Sequence, residues 1–448
     1  MSSPIWKPNE SQIRNANITK LLSYANQKES LDFSNYWDLH QYSIDHSDNF
    51  WQLVADYCGA IGNFSGPVRL GESMIDTKWF PEASLNFAET MLARRDEADA
   101  IVFRGENKVN LRLSFNDLYE QVAKVQAHMK ACGVGPGDRV AAFLPNHPAA
   151  IIGMLAASSI GAIWSSCSPD FGQQGVLDRF GQIEPKLIFV VDGYYYNGKA
   201  HDTIERVKGF LDNLPSIENI VMVEYIQTYQ GDIESCLTLL EVLSSQSESE
   251  IVFTHVPFDH PLYILYSSGT TGAPKCIVHG HGGTLLQHLK EQQLHADVRE
   301  DDRVFYFTTC SWMMWNWLVS ALASKATVML YDGSPFYPSP TAMFDMIEQE
   351  KISIFGTSAK FISSVEKEHL IPQETHRLDS LKTILTTGSP LSHESFRYVY
   401  DSIKQNICLS SISGGTDIIS CFVLGNSCLP VWEGEIQCIG LGMAVEFW

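Results

Sequence analysis

The chain has no Cys-x-x-Cys pair and no Cys/His spacing suited to zinc, although it carries ten cysteines. That excludes the common zinc folds and reads as reduced thiols in a cytoplasmic protein. Long hydrophobic runs are also missing. The most apolar window, Ala149–Trp164, is shorter than a bilayer span and is broken by Ser158, Ser159 and Gly161, so no membrane insertion is expected. The opening Met-Ser-Ser-Pro-Ile-Trp-Lys lacks the apolar centre of a signal peptide. Positive charge is scarce: the net charge of −21 excludes nucleic acid and anionic membranes as the main partners, while leaving room for a local anion site. What is present is globular composition, 45% hydrophobic against 19% charged, which rules out a disordered chain. A length of 448 residues is too great for one ordinary core and predicts two or three domains or subdomains. No signal for an oligomeric state is present.

Residues 1–95 carry Trp37, Trp51 and Trp79 without strand–helix alternation and read as a cap on a larger body. Alternation then begins. Ser114 caps a helix with Asp117 in its first turn and Leu118, Val122, Val125 and Met129 on one face, and Gly133 stops it. Asp138–Leu144, Ala162–Trp164, Lys186–Asp192, Asn219–Val223, Arg303–Thr308, Ala326–Tyr331, Ile352–Phe355, Thr383–Leu385 and Asn406–Leu409 read as strands. Ala149–Ser159, Gly283–His295 and Met314–Ser324 read as helices. Short strands separated by helices predict an α/β fold with largely parallel sheets, and the span predicts two stacked α/β subdomains. Gly133-Val-Gly-Pro-Gly-Asp138 partly mimics a dinucleotide fingerprint, but it follows a helix and precedes a strand, so it is a turn.

The most informative stretch is Tyr266-Ser-Ser-Gly-Thr-Thr-Gly-Ala-Pro-Lys275. Ser267, Ser268, Thr270 and Thr271 offer hydroxyls, Gly269 and Gly272 let backbone N–H groups turn inward, and Lys275 adds a compact positive charge. Apolar strands, Pro261–Tyr266 and Cys276–His279, flank the loop, which separates it from a Walker loop opening a helix. A plain hairpin tip needs one or two glycines and no such cluster of donors. The pattern suits a polyphosphate.

This loop resembles the signature of the adenylate-forming superfamily, which includes the acyl-CoA synthetases. The resemblance implies that the loop grips the β- and γ-phosphates of ATP while a carboxylate attacks the α-phosphate. Further segments match the same family. Thr387-Gly388-Ser389-Pro390 corresponds to the turn lying against AMP, and in Ser413-Gly414-Gly415-Thr416-Asp417 the resemblance implies that Thr416 meets the α-phosphate and Asp417, where Glu is usual, holds Mg²⁺. Ser311-Trp-Met-Met-Trp-Asn-Trp317 corresponds to the acyl-pocket wall, through Trp312, Trp315 and Asn316. Gly414 stands where acetyl-activating members carry a Trp, which implies room for a longer acid with a second oxygen. Lys78–Glu89, Ser168–Gly172, Gly175–Pro185 and Gly440–Glu446 match as well, and together the runs resemble the acetoacetyl-CoA synthetases most. His279, His281 and His288 read as structural, since no carboxylates accompany them.

The resemblance therefore implies an acetoacetate–CoA ligase using ATP, Mg²⁺ and CoA, with Thr271, Lys275, Thr416 and Asp417 as its catalytic residues. It implies an extension over 1–95, an adenylation domain over 96–420, and the start of a β subdomain over 421–448. A mobile C-terminal domain with a catalytic Lys, and a ribose-binding Asp, are then expected past Trp448. On that expectation the chain is a truncated synthetase, inactive alone, with Ala-Val-Glu-Phe-Trp448 as an unpaired strand. The alternatives are a non-catalytic nucleotide-binding remnant, or a synthetase for propionate or butyrate.

Overall fold

A computed structural model describes residues 3–247, 249–267 and 272–448. Two seven-stranded sheets dominate. The first runs, in spatial order, Cys236–Thr238, Asn219–Val223, Leu187–Val191, Arg139–Phe143, Ile163–Cys167, Pro261–Ser267 and Lys275–Gly280. The second runs Cys408–Ser411, Thr383–Thr387, Ile354–Ser358, Arg303–Tyr306, Thr327–Asp332, Asp99–Gly105 and Val109–Ser114. In each, every neighbour is parallel except one edge hairpin, 261–267 with 275–280 and 99–105 with 109–114. The interior strands are buried runs such as Leu187-Ile-Phe-Val-Val191, as expected where helices cover both faces.

The helix Phe115–Ala131 packs on the second sheet and on the helix Pro148–Ser159, which packs on the first. Every residue of Pro148–Ser159 is buried, so this apolar segment is the centre of a core and not a membrane span. Among the described residues no helix is long and apolar enough to cross a membrane. One apolar cluster joins Phe103 and Leu330 of the second sheet to Val140 and Trp164 of the first. Outer clusters cover the remaining faces, around Phe355 and Phe361 on one side and Phe143 and Phe210 on the other. Ser114 does cap its helix: its hydroxyl accepts from the Asp117 amide while the Asp117 carboxylate accepts from the Ser114 amide.

Residues 10–57 form four helices, Glu10–Asn15, Asn17–Glu29, Tyr36–Asp45 and Ser47–Tyr57. They are tied to the far end of the chain, since Trp6 bridges Val431 and His40 Nε2 donates to the Met443 carbonyl at 3.1 Å. A small antiparallel sheet, Ser413–Gly415, Ser420–Leu424 and Cys438–Ile439, follows the second large sheet. Residues 443–448 pair with no strand among the described residues. Phe447 and Trp448 are exposed.

Candidate active site

Parallel sheets gather their loops at the carboxyl ends of the strands, and a large cleft lies there. Its volume is about 740 Å³. Tyr266 reaches it from the end of one sheet, and Thr387 and Ser411 from the ends of strands in the other. The turn Gly388-Ser389-Pro390 forms an exposed rim, followed by the helix His393–Tyr398, whose first turn Ser392 caps through the Ser395 amide. Thr387 Oγ1 donates to the Ile412 carbonyl at 3.0 Å, fixing that rim to the opposite lip. The opposite lip is the hairpin Ser413-Gly414-Gly415, which leads directly into Thr416.

Ser267 pairs with Lys275 across the antiparallel ladder, next to Tyr266. Ser268, Gly269, Thr270 and Thr271 lie outside the described residues. Gly272 has φ +112, a backbone shape that side chains disfavour, and open space where a Cβ would stand. Lys275 is exposed.

Asp417 is exposed on the 3₁₀ turn Thr416–Ile418, one residue from the cleft wall. His279 Nε2 donates to the Thr416 carbonyl at 2.7 Å. Burial lowers the His279 pKa, against the opposing influence of that carbonyl and of the Asp417 carboxylate. Burial likewise holds His288 down to about 4 and His281 to about 3, so all three act as neutral hydrogen-bonding groups. Among the described residues no cluster of three or more His, Cys, Asp or Glu could hold a metal. A lone carboxylate beside the cleft still fits Mg²⁺, which takes few protein oxygens and completes its shell with phosphate and water.

The structure separates Trp312, Trp315 and Asn316, which the sequence groups in one wall. Trp312 does line the cleft, 63% exposed, beside Ser311, Met313 and Met314. Trp315 is fully buried and donates its indole N–H to Asn146 Oδ1 at 3.1 Å. Asn316 is 1% exposed, and its amide has no hydrogen-bond partner among the described residues. The reason is helical geometry: along Met313–Val319 each residue turns about 100°, so positions just past Met314 face the core. Gly414 lines the cleft, but the demand for glycine comes from its own hairpin. A Cβ there would stand 2.0 Å from the Ser420 carbonyl oxygen and 2.7 Å from the Cys421 Cα.

Several lining residues are not among the site residues the sequence singles out. Arg179 stacks on Phe171 at 4.2 Å and over Tyr266 at 5.5 Å, a contact that exists once the helix Gln173–Phe180 is docked. Cys421 reaches the cleft because it pairs with Gly414. Glu435 joins from the segment that returns to the rim.

Against known proteins, residues 88–428 match the AMP-binding enzyme family. The chain is 49% identical to an acetoacetyl-coenzyme A synthetase of Rhizobium meliloti (strain 1021), over 99% of this chain and 69% of that protein. It is 44% identical to an acetoacetyl-CoA synthetase of Danio rerio, over 100% of this chain and 68% of that one. The solved acetoacetyl-CoA synthetase from Streptomyces lividans shares its fold with a TM-score of 0.94 at 38% identity, covering 98% of this chain and 69% of that structure. A family match across both sheets, with high identity along the whole length, leads to one conclusion: the chain belongs to the AMP-binding enzymes, in the branch of the acetoacetyl-CoA synthetases.

Proposed function

We propose that this protein is an acetoacetate–CoA ligase that works through an acyl-adenylate. The observation carrying this reading is the single cleft in which the Gly388–Pro390 turn, the Ser413–Thr416 hairpin and the Trp312–Met314 wall converge, with the 267–275 loop rooted beside it. Acetoacetate is a poor acyl donor because its leaving group is oxide. Attack of a carboxylate oxygen on the α-phosphorus of ATP breaks the bond to the bridging oxygen, releases pyrophosphate and leaves a good leaving group. The CoA sulfur then attacks the carbonyl carbon, AMP departs, and the thiol proton passes to solvent.

In this reading Ser267–Lys275, through Ser268, Gly269, Thr270, Thr271 and Gly272, cradles the β- and γ-phosphates. The 388–390 turn lies against the nucleoside. Thr416 meets the α-phosphate. Mg²⁺ held by Asp417 would neutralise the phosphate charge that develops as the bond breaks. Trp312 and Met314 exclude water from the acyl end, and the rigid walls align carboxylate and phosphorus. Ten free cysteines suit a reducing, cytoplasmic setting.

Calorimetry with Mg·ATP and an acid panel of acetoacetate, acetate, propionate and butyrate, read as pyrophosphate release, tests the proposal. Acetoacetate should give the strongest signal. Preference for another acid would reassign the substrate, and nucleotide binding without pyrophosphate release from any acid would mark a binding protein without turnover.

A further inference from the structure

The helix His281–Leu289 widens into a π-helical turn over Lys290–His295, and its inner face carries His288, Glu291 and His295. All three reach the segment that follows Thr416. His288 Nε2 donates to the Ile419 carbonyl at 2.9 Å, and His295 Nδ1 donates to the Gly425 carbonyl at 3.0 Å. Between them, Glu291 is 1% exposed and gathers donors from two separate elements. Its Oε1 accepts from Ser420 Oγ at 2.5 Å and from the Cys421 amide at 2.8 Å. Its Oε2 accepts the Trp317 indole N–H at 3.0 Å. Gln287 Nε2 stands 3.4 Å away, and the buried Lys290 Nζ lies 3.7 Å away.

A carboxylate removed from water is costly unless its oxygens are bonded, and these are. The two elements it joins are two sides of the cleft. Trp317 belongs to the helix that presents Met314, and Cys421 pairs with Gly414 of the hairpin lip. Met314, Ile412 and Cys421 line both the cleft and a small cavity of about 10 Å³ that Glu291 itself borders. That is room for roughly one water and no acyl group. We propose that Glu291 is a positioning residue that sets the width of the acyl end, holding the Met314 wall and the Cys421 floor to one buried charge. The inference rests on reading this end as the acyl site.

Glu291→Gln is the direct probe, because an amide offers one acceptor where two are needed. The measurement is calorimetry of acetoacetate and of butyrate against the chain saturated with Mg²⁺ and α,β-methylene-ATP. Glu291→Gln should weaken acetoacetate at least tenfold and narrow the acetoacetate-to-butyrate ratio, with affinity for the nucleotide analogue within about twofold of the parent. Trp317→Phe, which removes one donor, should shift the ratio the same way by less, and the double variant should lose less than the two single losses combined. Should Glu291→Gln fail to fold, Trp317→Phe and Ser420→Ala carry the same test. A folded Glu291→Gln or Trp317→Phe with the parent's acid affinity and acid ratio overturns the positioning role. A parent that binds the analogue but no acid defeats the acyl reading itself, which is a different result from parent-like variants.

Discussion

At the scale of single residues, position in the fold decides what a side chain can do. Lys275 sits exposed at the root of the 267–275 loop, opposite Ser267. Among the described residues its ammonium has no structural duty that truncation would disturb. Lys275→Ala should therefore weaken Mg·ATP by about 1–3 kcal/mol, the usual worth of a hydrogen bond to a charged group, without lowering the melting temperature. Calorimetry showing parent-like ATP affinity would remove this lysine from the site. The neighbouring glycines of the hairpin lip separate space from function. At Gly414 a Cβ meets the Ser420 carbonyl at 2.0 Å, whereas at Gly415 nothing lies within 4 Å. Gly414→Ala should cost about 1–3 kcal/mol of stability, as overpacking does, and Gly415→Ala should cost much less. Equal losses in urea titrations of the two variants would mean that the hairpin relaxes around either side chain.

At the scale of elements, local chemistry is legible in the sequence and tertiary partnership is not. The capping box of Ser114 and Asp117 involves groups three residues apart, so pattern alone places the start of Phe115–Ala131. Ser114→Ala should cost about 0.5–2 kcal/mol, read as a lower urea midpoint at unchanged slope. An unchanged midpoint would show that the helix is held by packing alone. The strand Asn219–Val223 and the Gly133–Asp138 turn are legible for the same reason. The π-helical turn at 290–295 is not. Its residues have good helical periodicity, and the widening accompanies Glu291 and His295 bonding to a segment more than 120 residues away. The grouping of Trp312, Trp315 and Asn316 divides for a related reason: the run rich in Trp and Met is legible, but the phase of a two-turn helix decides that Met314 faces the cleft and Trp315 the core. Gly414 is read in sequence as vacated space, and only the paired strand reveals the backbone clash that requires it.

At the scale of the whole molecule, the two sheets share a core that holds histidines neutral, and this makes stability depend on pH. Burial lowers His147, His281 and His295 to about 3 and His288 to about 4, from an ordinary value of 6.5. In the unfolded chain these four take up protons as pH falls through 6.5, while in the folded chain they do not until far lower. A group with a depressed folded pKa contributes stability above its unfolded pKa and loses it as pH falls, so these histidines destabilise the fold on acidification. Asp332 acts in the opposite sense. Burial raises it to about 7 from 3.8, so the folded chain gains a proton there between neutrality and pH 4 and recovers part of the loss. Four protons against one leave the histidines dominant. Summed by linkage, the net loss between pH 7.5 and 5.5 is roughly 3–4 kcal/mol, a large part of the roughly 5–15 kcal/mol that holds a typical domain folded. Urea unfolding at the two pH values should show a clear drop in midpoint with little change in slope, since the surface exposed on unfolding is the same. A midpoint independent of pH would mean that the histidines between the sheets and behind the cleft are protonated in the folded protein, and that the bonds from His288 and His295 to the 416–425 segment are made by imidazolium and not by neutral rings.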